Sequence, residues 1–416
     1  MQFTDKILND LDNRNNPVSI FLDLSKAFDT LDHDILLTKL EHYGISDIAL
    51  EWFKSYLSNR YQYVQFDTVA SDMYPLTTDV SQGSILGPLL FIIYMNDIST
   101  VSCEFETILY ADDTTLTSAI GSITSENFSG VNTSKLLSDE LTNIYKWLLA
   151  NRLSLNFDKT KYIVFQSPNS RKININLDIK IDEYTISQVN EFNFLGIHIN
   201  STMTWNTHIN KIASKISQVV GILNKLKHFL PCDILRTIYN SLVSPHLNFG
   251  ILTWGFSCNR IFKLQKKAVR IISNSKYNAH TDPIFKRLGL LKVHDIFNKQ
   301  CLKFYHKICN NNAPEYFEPM FNQNNQFHSY DTRQNSCLHI PFTRTVYAEK
   351  CIRYYIPQLL QKTPLSITQK LYTHSPGGFA HYVKLYYINN YSDDCNILNC
   401  YICQRTVSSE DEDTYI

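Results

Sequence analysis

The period of the apolar positions changes several times along the first two hundred residues. Val18, Ile20, Leu22 and Leu24 alternate with Ser19, Phe21 and Asp23, which predicts a strand over Val18 to Leu24. Asp34 to Tyr43 has helical spacing and stops at Gly44, a residue suited to the position after a helix end. Ser46 is a candidate cap for a second helix, with Trp52, Phe53, Tyr56 and Leu57 on its buried side. Ile108 to Thr117 predicts two short strands meeting near Ala111-Asp112-Asp113, and Leu136 to Ala150 a helix. Tyr162 to Phe165, Thr185 to Val189 and Phe194 to Ile199 are further short strand candidates.

After residue 205 the pattern becomes helical. Ile209, Ile212, Ile216, Val219, Leu223 and Leu226 recur at steps of three and four, while Lys211, Lys215 and Lys225 lie off that stripe. Asn259 to Ser273 predicts a second helix with Ile261, Leu264, Ala268 and Ile271 together. Lys263, Lys266, Lys267 and Arg270 share another face of it. The expected division is 1–200, 201–310 and 311–416, the second boundary being marked by Asn310 to Asn312 and Pro314. The last segment is aromatic, less regular and ends in an acidic tail, Ser408 to Asp413, expected to be disordered.

Composition narrows the class. With 44% hydrophobic and 19% charged residues in 416, and only 12 glycines and 13 prolines, wholesale disorder and fibrous repeats are excluded. The zero net charge hides a partition: residues 1–200 hold 14 basic against 26 acidic side chains, whereas 201–310 hold 17 against 3. A basic block beside a carboxylate-rich one points to a polyanion partner. The apolar run Ile85 to Met95 is interrupted by Gly87 and Pro88 and is too short for a bilayer. No secretory signal follows Met1, so an intracellular chain with reduced thiols, in nucleus or cytoplasm, is expected. Cys395, Cys400 and Cys403 cluster without a fourth ligand after them, which argues against zinc. There is no G-x-x-x-x-G-K phosphate loop.

The candidate chemistry lies in three carboxylates. Asp23 ends an apolar strand, where a charge is costly unless compensated. Asp112 and Asp113 stand at a predicted hairpin tip. An acidic pair at a turn is common in itself. Three carboxylates on neighbouring strands, however, are a donor set for two Mg²⁺ ions, which suit in-line attack at phosphorus.

FLDLSKAFDTLDH (Phe21 to His33), QGSILGPLLFIIYMNDI (Gln82 to Ile98) and YADD (Tyr110 to Asp113) resemble motifs A, B and C of reverse transcriptases. LSLNFDKTKYIVF (Leu153 to Phe165) is similar to motif D and FLGIHI (Phe194 to Ile199) to motif E, all in the family's order. The wording is closest to non-LTR retrotransposon polymerases of the LINE type. The resemblance implies an α+β fold: a polymerase palm, an antiparallel sheet backed by helices, with partial fingers in 1–200. A helical thumb and post-thumb region in 201–310 and a C-terminal extension in 311–416 would follow.

It also implies roles. Asp23, Asp112 and Asp113 would be catalytic and hold two Mg²⁺ ions. Phe28 would exclude a ribose 2′-OH, and Gln82 and Gly83 would face template and nucleotide. A lysine of motif D would protonate or neutralise the leaving pyrophosphate; Lys159 is preferred and Lys161 remains open. Leu195 and Gly196 would grip the primer end. Lys211, Lys215, Lys263, Lys266, Lys267 and Arg270 would hold nucleic-acid phosphates, while Asp29 and His33 would be scaffold. The implied activity is RNA-directed DNA polymerisation with RNA template, DNA primer and dNTPs as partners. No membrane or protein partner is implied.

Only Lys6 and Arg14 are basic before Asp23. The family carries a longer cationic fingers region there, so the chain is expected to be N-terminally truncated. The rival expectation is a catalytically inactive nucleic-acid-binding remnant that lacks the fingers clamp. An intron-type maturase is a third, without a recognisable maturase segment to support it.

Overall fold

The computed structural model describes residues 1–81, 83–120, 130–167, 175, 177–327, 335 and 337–393. Gln82, the three C-terminal cysteines Cys395, Cys400 and Cys403, and the acidic tail lie outside the described residues. The chain falls into two compact units. One comprises Asn13–Gly196 and Asn200–Met203; the other comprises Met1–Asp12, Ile197–Ile199 and Thr204–Ile416. The first twelve residues, which sequence groups with the palm, therefore belong with the helical unit. There helix α1 (Gln2–Asp12) is held by its own polar side chains. Asp12 accepts hydrogen bonds from Arg344 N at 3.0 Å and Thr345 Oγ1 at 2.8 Å, and Arg353 donates to Asn9.

The first unit is built on five strands: β1 (Asn16–Leu22), β2 (Glu106–Tyr110), β3 (Asp113–Ile120), β4 (Lys161–Val164) and β5 (Ser187–Gln188). They lie in the order β5-β4-β1-β3-β2. Neighbours are antiparallel except β5, which runs parallel to β4, so the expected antiparallel sheet carries one parallel edge. β1 starts at Asn16 and stops at Leu22, two residues earlier than the alternation predicts at each end. Leu24 makes only an isolated bridge, to Leu155.

Three helices cover the Val18–Ile20–Leu22 face: α2 (His33–His42), α4 (Leu86–Met95) and α5 (Gly130–Ala150). Leu36, Leu40, Leu90, Phe91, Leu141 and Ile144 are all at most 1% exposed there. Burying each such side chain contributes about 1.5–3 kcal/mol. Helix α2 begins one residue before its predicted start and is capped by Asp32, which accepts from Asp34 N and Ile35 N at 3.1 Å. Asp32 is itself buried and paired with Arg152.

Helix α3 (Asp47–Leu57) forms, but only Leu57 is fully buried. Trp52, expected inside, is 54% exposed; its ring stacks on Tyr56 along the helix surface, at 5.7 Å and 9°. Phe194 to Ile199, read as one strand, is broken. Leu195 and Gly196 take φ values of 48° and 79°, which reverse the chain between β6 (Glu191–Phe194) and β7 (Ile197–Asn200).

The second unit is helical. α6 (Asn206–Leu226) buries the predicted stripe from Ile209 to Leu223. It is followed by α7 (Cys232–Leu242), α8 (Asn259–Ile272) and α9 (Val293–Cys309). Residues beyond 311, which read as irregular, contribute α10 (Ile352–Lys362) and α11 (Pro376–Asn389). Among the described residues no helix is long and apolar enough to cross a membrane.

Candidate active site

Strand register builds the acidic cluster. Leu22 pairs with Thr114, and Tyr110 pairs with Asp113 across the tight turn at Ala111-Asp112. Ala111 takes φ 52°, a conformation that closes the turn at some steric cost. Asp23, one residue beyond Leu22, is thereby carried to the end of β3 where Asp113 stands. The electrostatics report the same proximity. The Asp113 carboxyl is held above its ordinary range by partial burial first, then by the negative charges of Asp112 and Asp23.

The backbone beyond β1 is fixed to the loop before β4. Asn156 N donates to Asp23 O at 2.8 Å, Ser25 N to Ser154 O at 2.8 Å, and Asp23 N to Thr160 Oγ1 at 3.4 Å. Asn156 in turn accepts from Lys159 N through its side chain and from Thr160 N through its carbonyl. This holds Lys159 beside the cluster: its Nζ is 3.7 Å from Asp23 Oδ2, with the side chain 70% exposed. Lys161 is a β4 residue opposite Phe21. The geometry thus separates two lysines that sequence left as alternatives.

Among the described residues, no three His, Cys, Asp or Glu side chains form a ready metal cage. Mg²⁺ seldom uses an all-protein cage; it takes one or two carboxylates together with waters and substrate phosphates. Three mutually repelling carboxylates at an exposed turn fit that mode of binding.

Phe28 is half-buried and packs on Phe91, with ring centroids 4.6 Å apart. Gly83 takes φ 79°, and an added Cβ would meet nothing within 4 Å, so the glycine serves the turn rather than internal packing. Asp29 is exposed. His33 Nε2 lies 2.8 Å from Asp79 O, a scaffold contact.

In the helical unit, Lys211, Lys215, Lys263 and Lys267 are exposed. Lys266 lies over the Phe262 ring at 4.9 Å, and Arg270 Nε donates to Ala279 O at 2.8 Å, so these two are partly engaged within the protein. Between α6 and α8 lies a cavity of about 580 Å³ lined by Gly221, Asn224, Lys227, Lys267, Arg270 and Tyr277, among others. Sequence reading missed Lys227 and Tyr277. The available signals were a cation just past the regular face of α6 and a tyrosine next to Lys276 in the segment after α8. Near the start of α6, His208 is buried and its pKa is lowered to about 4. Desolvation is the main cause, followed by His198, Lys211 and Lys215.

The family described as "Reverse transcriptase (RNA-dependent DNA polymerase)" matches residues 3–199. Residues 3–199 are a reverse transcriptase domain. Relatives of this chain are RNA-directed DNA polymerases from transposons and mobile elements. The probable RNA-directed DNA polymerase from transposon X-element of Drosophila melanogaster is 24% identical over 73% of this chain and 33% of its own length. The RNA-directed DNA polymerase from mobile element jockey of the same organism is 27% identical over 72% of this chain and 33% of its own. The chain thus spans about a third of the length of these relatives. Apo telomerase from Candida tropicalis matches 71% of this chain and 50% of its own at 14% identity and TM-score 0.38, too distant to add to the fold already described. Within the reverse transcriptase domain, the acidic turn Tyr110–Asp113 and Lys159 occupy the segments that resemble motifs C and D.

Proposed function

We propose that this chain is an RNA-directed DNA polymerase of retrotransposon origin, acting on an RNA template and a DNA primer. The observation that carries this reading is the register that brings Asp23, Asp112 and Asp113 together with Lys159 beside them. A primer 3′-OH would attack the α-phosphate of a dNTP. Two Mg²⁺ ions held by Asp23, Asp112 and Asp113 would neutralise phosphate charge and lower the hydroxyl pKa. Lys159, as a cation at the edge of the cluster, protonates the leaving pyrophosphate. Phe28, backed by Phe91, limits space under the sugar to a hydrogen at C2′. The turn at Gly83 faces the nucleotide, with Gln82 beside it in sequence, and the Leu195–Gly196 reversal grips the primer end. Lys215, Lys263 and Lys267 hold duplex phosphates, and Lys211, Lys266 and Arg270 do so more weakly because each already has a protein partner, His198, the Phe262 ring and the Ala279 carbonyl respectively.

The test is primer extension with oligo(dT) on poly(rA), labelled dTTP and Mg²⁺, with Asp112→Ala as control. Incorporation that disappears in the control supports the reading. Binding of primer–template without incorporation overturns it in favour of a nucleic-acid-binding remnant.

A further inference from the structure

The segment leading into the Gly83 turn is laid against the loop that carries Phe28. Thr78 bridges Asp32. Asp79 N donates to Leu31 O at 3.0 Å, and Val80 N to Phe28 O at 3.3 Å. Ser81 then starts the turn: its carbonyl accepts from Ser84 N at 3.1 Å, and Ser84 Oγ accepts from Gly87 N at 2.9 Å as α4 begins. A Cβ at Gly87 would come within 3.1 Å of Ser81 O, so the turn and the helix start are closely apposed.

One cation reaches this junction. Arg60 Nη2 donates to Ser81 Oγ at 2.7 Å and lies 3.6 Å from Asp79 Oδ2, with both charged side chains under a quarter exposed. The Arg60 backbone is anchored as well, its carbonyl accepting from Leu76 N at 2.8 Å. Asp79 takes φ 100°, which a non-glycine residue adopts only when its surroundings enforce it. Arg60 Nη1 and Asp79 Oδ1 are buried with no further partner among the described residues. A charged, directional contact that holds a strained segment is a lock, and its cost in desolvated atoms needs a return elsewhere.

We propose that Arg60 is a positioning residue for sugar selection. It clamps Asp79 and Ser81 to the Arg60–Leu76 hairpin, while Asp79 N and Val80 N bond that same segment to the Phe28 loop, and so it steadies the Gly83 turn relative to the ring proposed to exclude a ribose hydroxyl. The proposal rests on the polymerase reading above. Arg60 acts through Ser81 and Asp79.

The experiment compares single-nucleotide incorporation of dTTP and UTP by the full chain and by Arg60→Ala, Arg60→Lys, Ser81→Ala and the Arg60→Ala/Ser81→Ala double variant. The expected result is a fall of about tenfold in dTTP-over-UTP selectivity for Arg60→Ala, the size of one charged hydrogen bond. It should appear in the KM for dTTP more than in kcat. Arg60→Lys recovers part of it, Ser81→Ala reproduces it, and the double variant adds nothing to either single change. Unchanged selectivity, or fully additive effects, overturns the proposal.

Hydrogen exchange read over residues 78–84 gives a second measurement that needs no activity. Faster exchange in Arg60→Ala confined to that segment is expected. Unchanged exchange, or acceleration that extends to β1, overturns the lock. If the parent chain incorporates no nucleotide, the polymerase reading fails, and the exchange comparison still decides whether Arg60 holds the turn.

Discussion

The acidic cluster and the basic helices are built by different means. In the sheet unit, a single register places Asp23 beside Asp113, and one turn presents Asp112. Shifting β1 by one residue would turn every side chain to the opposite face. In the helical unit, cations recur at three- and four-residue steps along α8, from Arg260 through Lys263 and Lys266 or Lys267 to Arg270, and α6 adds Lys211, Lys215 and Lys225. Under the proposed function, the comparison teaches that the chemistry would rest on a few positions and the grip on many. Electrostatics agree: the carboxylates repel one another, whereas the exposed lysines are set in solvent and spread over two helices.

Four predictions would break or sharpen that contrast. The largest effect is expected for Asp23→Asn, which should lower incorporation on the order of a thousandfold while leaving the affinity for primer–template within a few-fold. Next is the buried His208. Its folded pKa lies near 4, below the ordinary 6.5, so the unfolded chain takes up the proton first. Stability is therefore complete above about 6.5 and falls as pH drops toward 4, by about 3 kcal/mol at most. Urea unfolding at pH 7 and at pH 4.5 measures this, and His208→Asn should flatten the difference.

A smaller effect separates the motif D lysines. Lys159→Ala should reduce turnover at least tenfold, while Lys161→Ala stays within about twofold. Equal losses in side-by-side single-turnover measurements would remove the special role given to Lys159. The smallest effect belongs to the redundant surface: Lys267→Ala should weaken duplex binding about threefold and reduce the log–log salt slope by about one. A loss as large as that for the carboxylates would mean that the basic face is not redundant.

Much of this was legible in the sequence because it is local. The alternation around Ile20, the stripe from Ile209 to Leu223 and the turn at Asp112-Asp113 each need only neighbouring residues. What sequence missed depends on partners far along the chain. Trp52 has the spacing of a buried residue, but its ring contacts are with Phe53 and Tyr56 of its own helix and it stays 54% exposed. Asp32 caps α2 and is paired with Arg152, far along the chain, a contact no local pattern shows. That Lys159 stands beside Asp23 depends on the Asn156 bonds that fold the loop back. Helices α10 and α11 were hidden by aromatic composition, since tyrosine-rich segments carry weak helical preference and form here through packing. The acidic cluster was therefore legible as a set of residues, and its supporting contacts were not.

The docking of α1 has a consequence for biosynthesis. Asp12 receives its hydrogen bonds from residues 332 and 333 positions later. A ribosome adds about 5–20 residues per second, so α1 waits roughly half a minute for its partners to be made. The sheet unit, all of whose residues precede Thr204, can fold during that wait. The helical unit cannot close until Thr345 has emerged. Synthesis thus imposes an order between these two events: the unit that carries the carboxylates can form before α1 finds its partners. A nascent chain stalled between the two would expose the apolar face of α1, with Phe3, Ile7, Leu8 and Leu11, for chaperones to find.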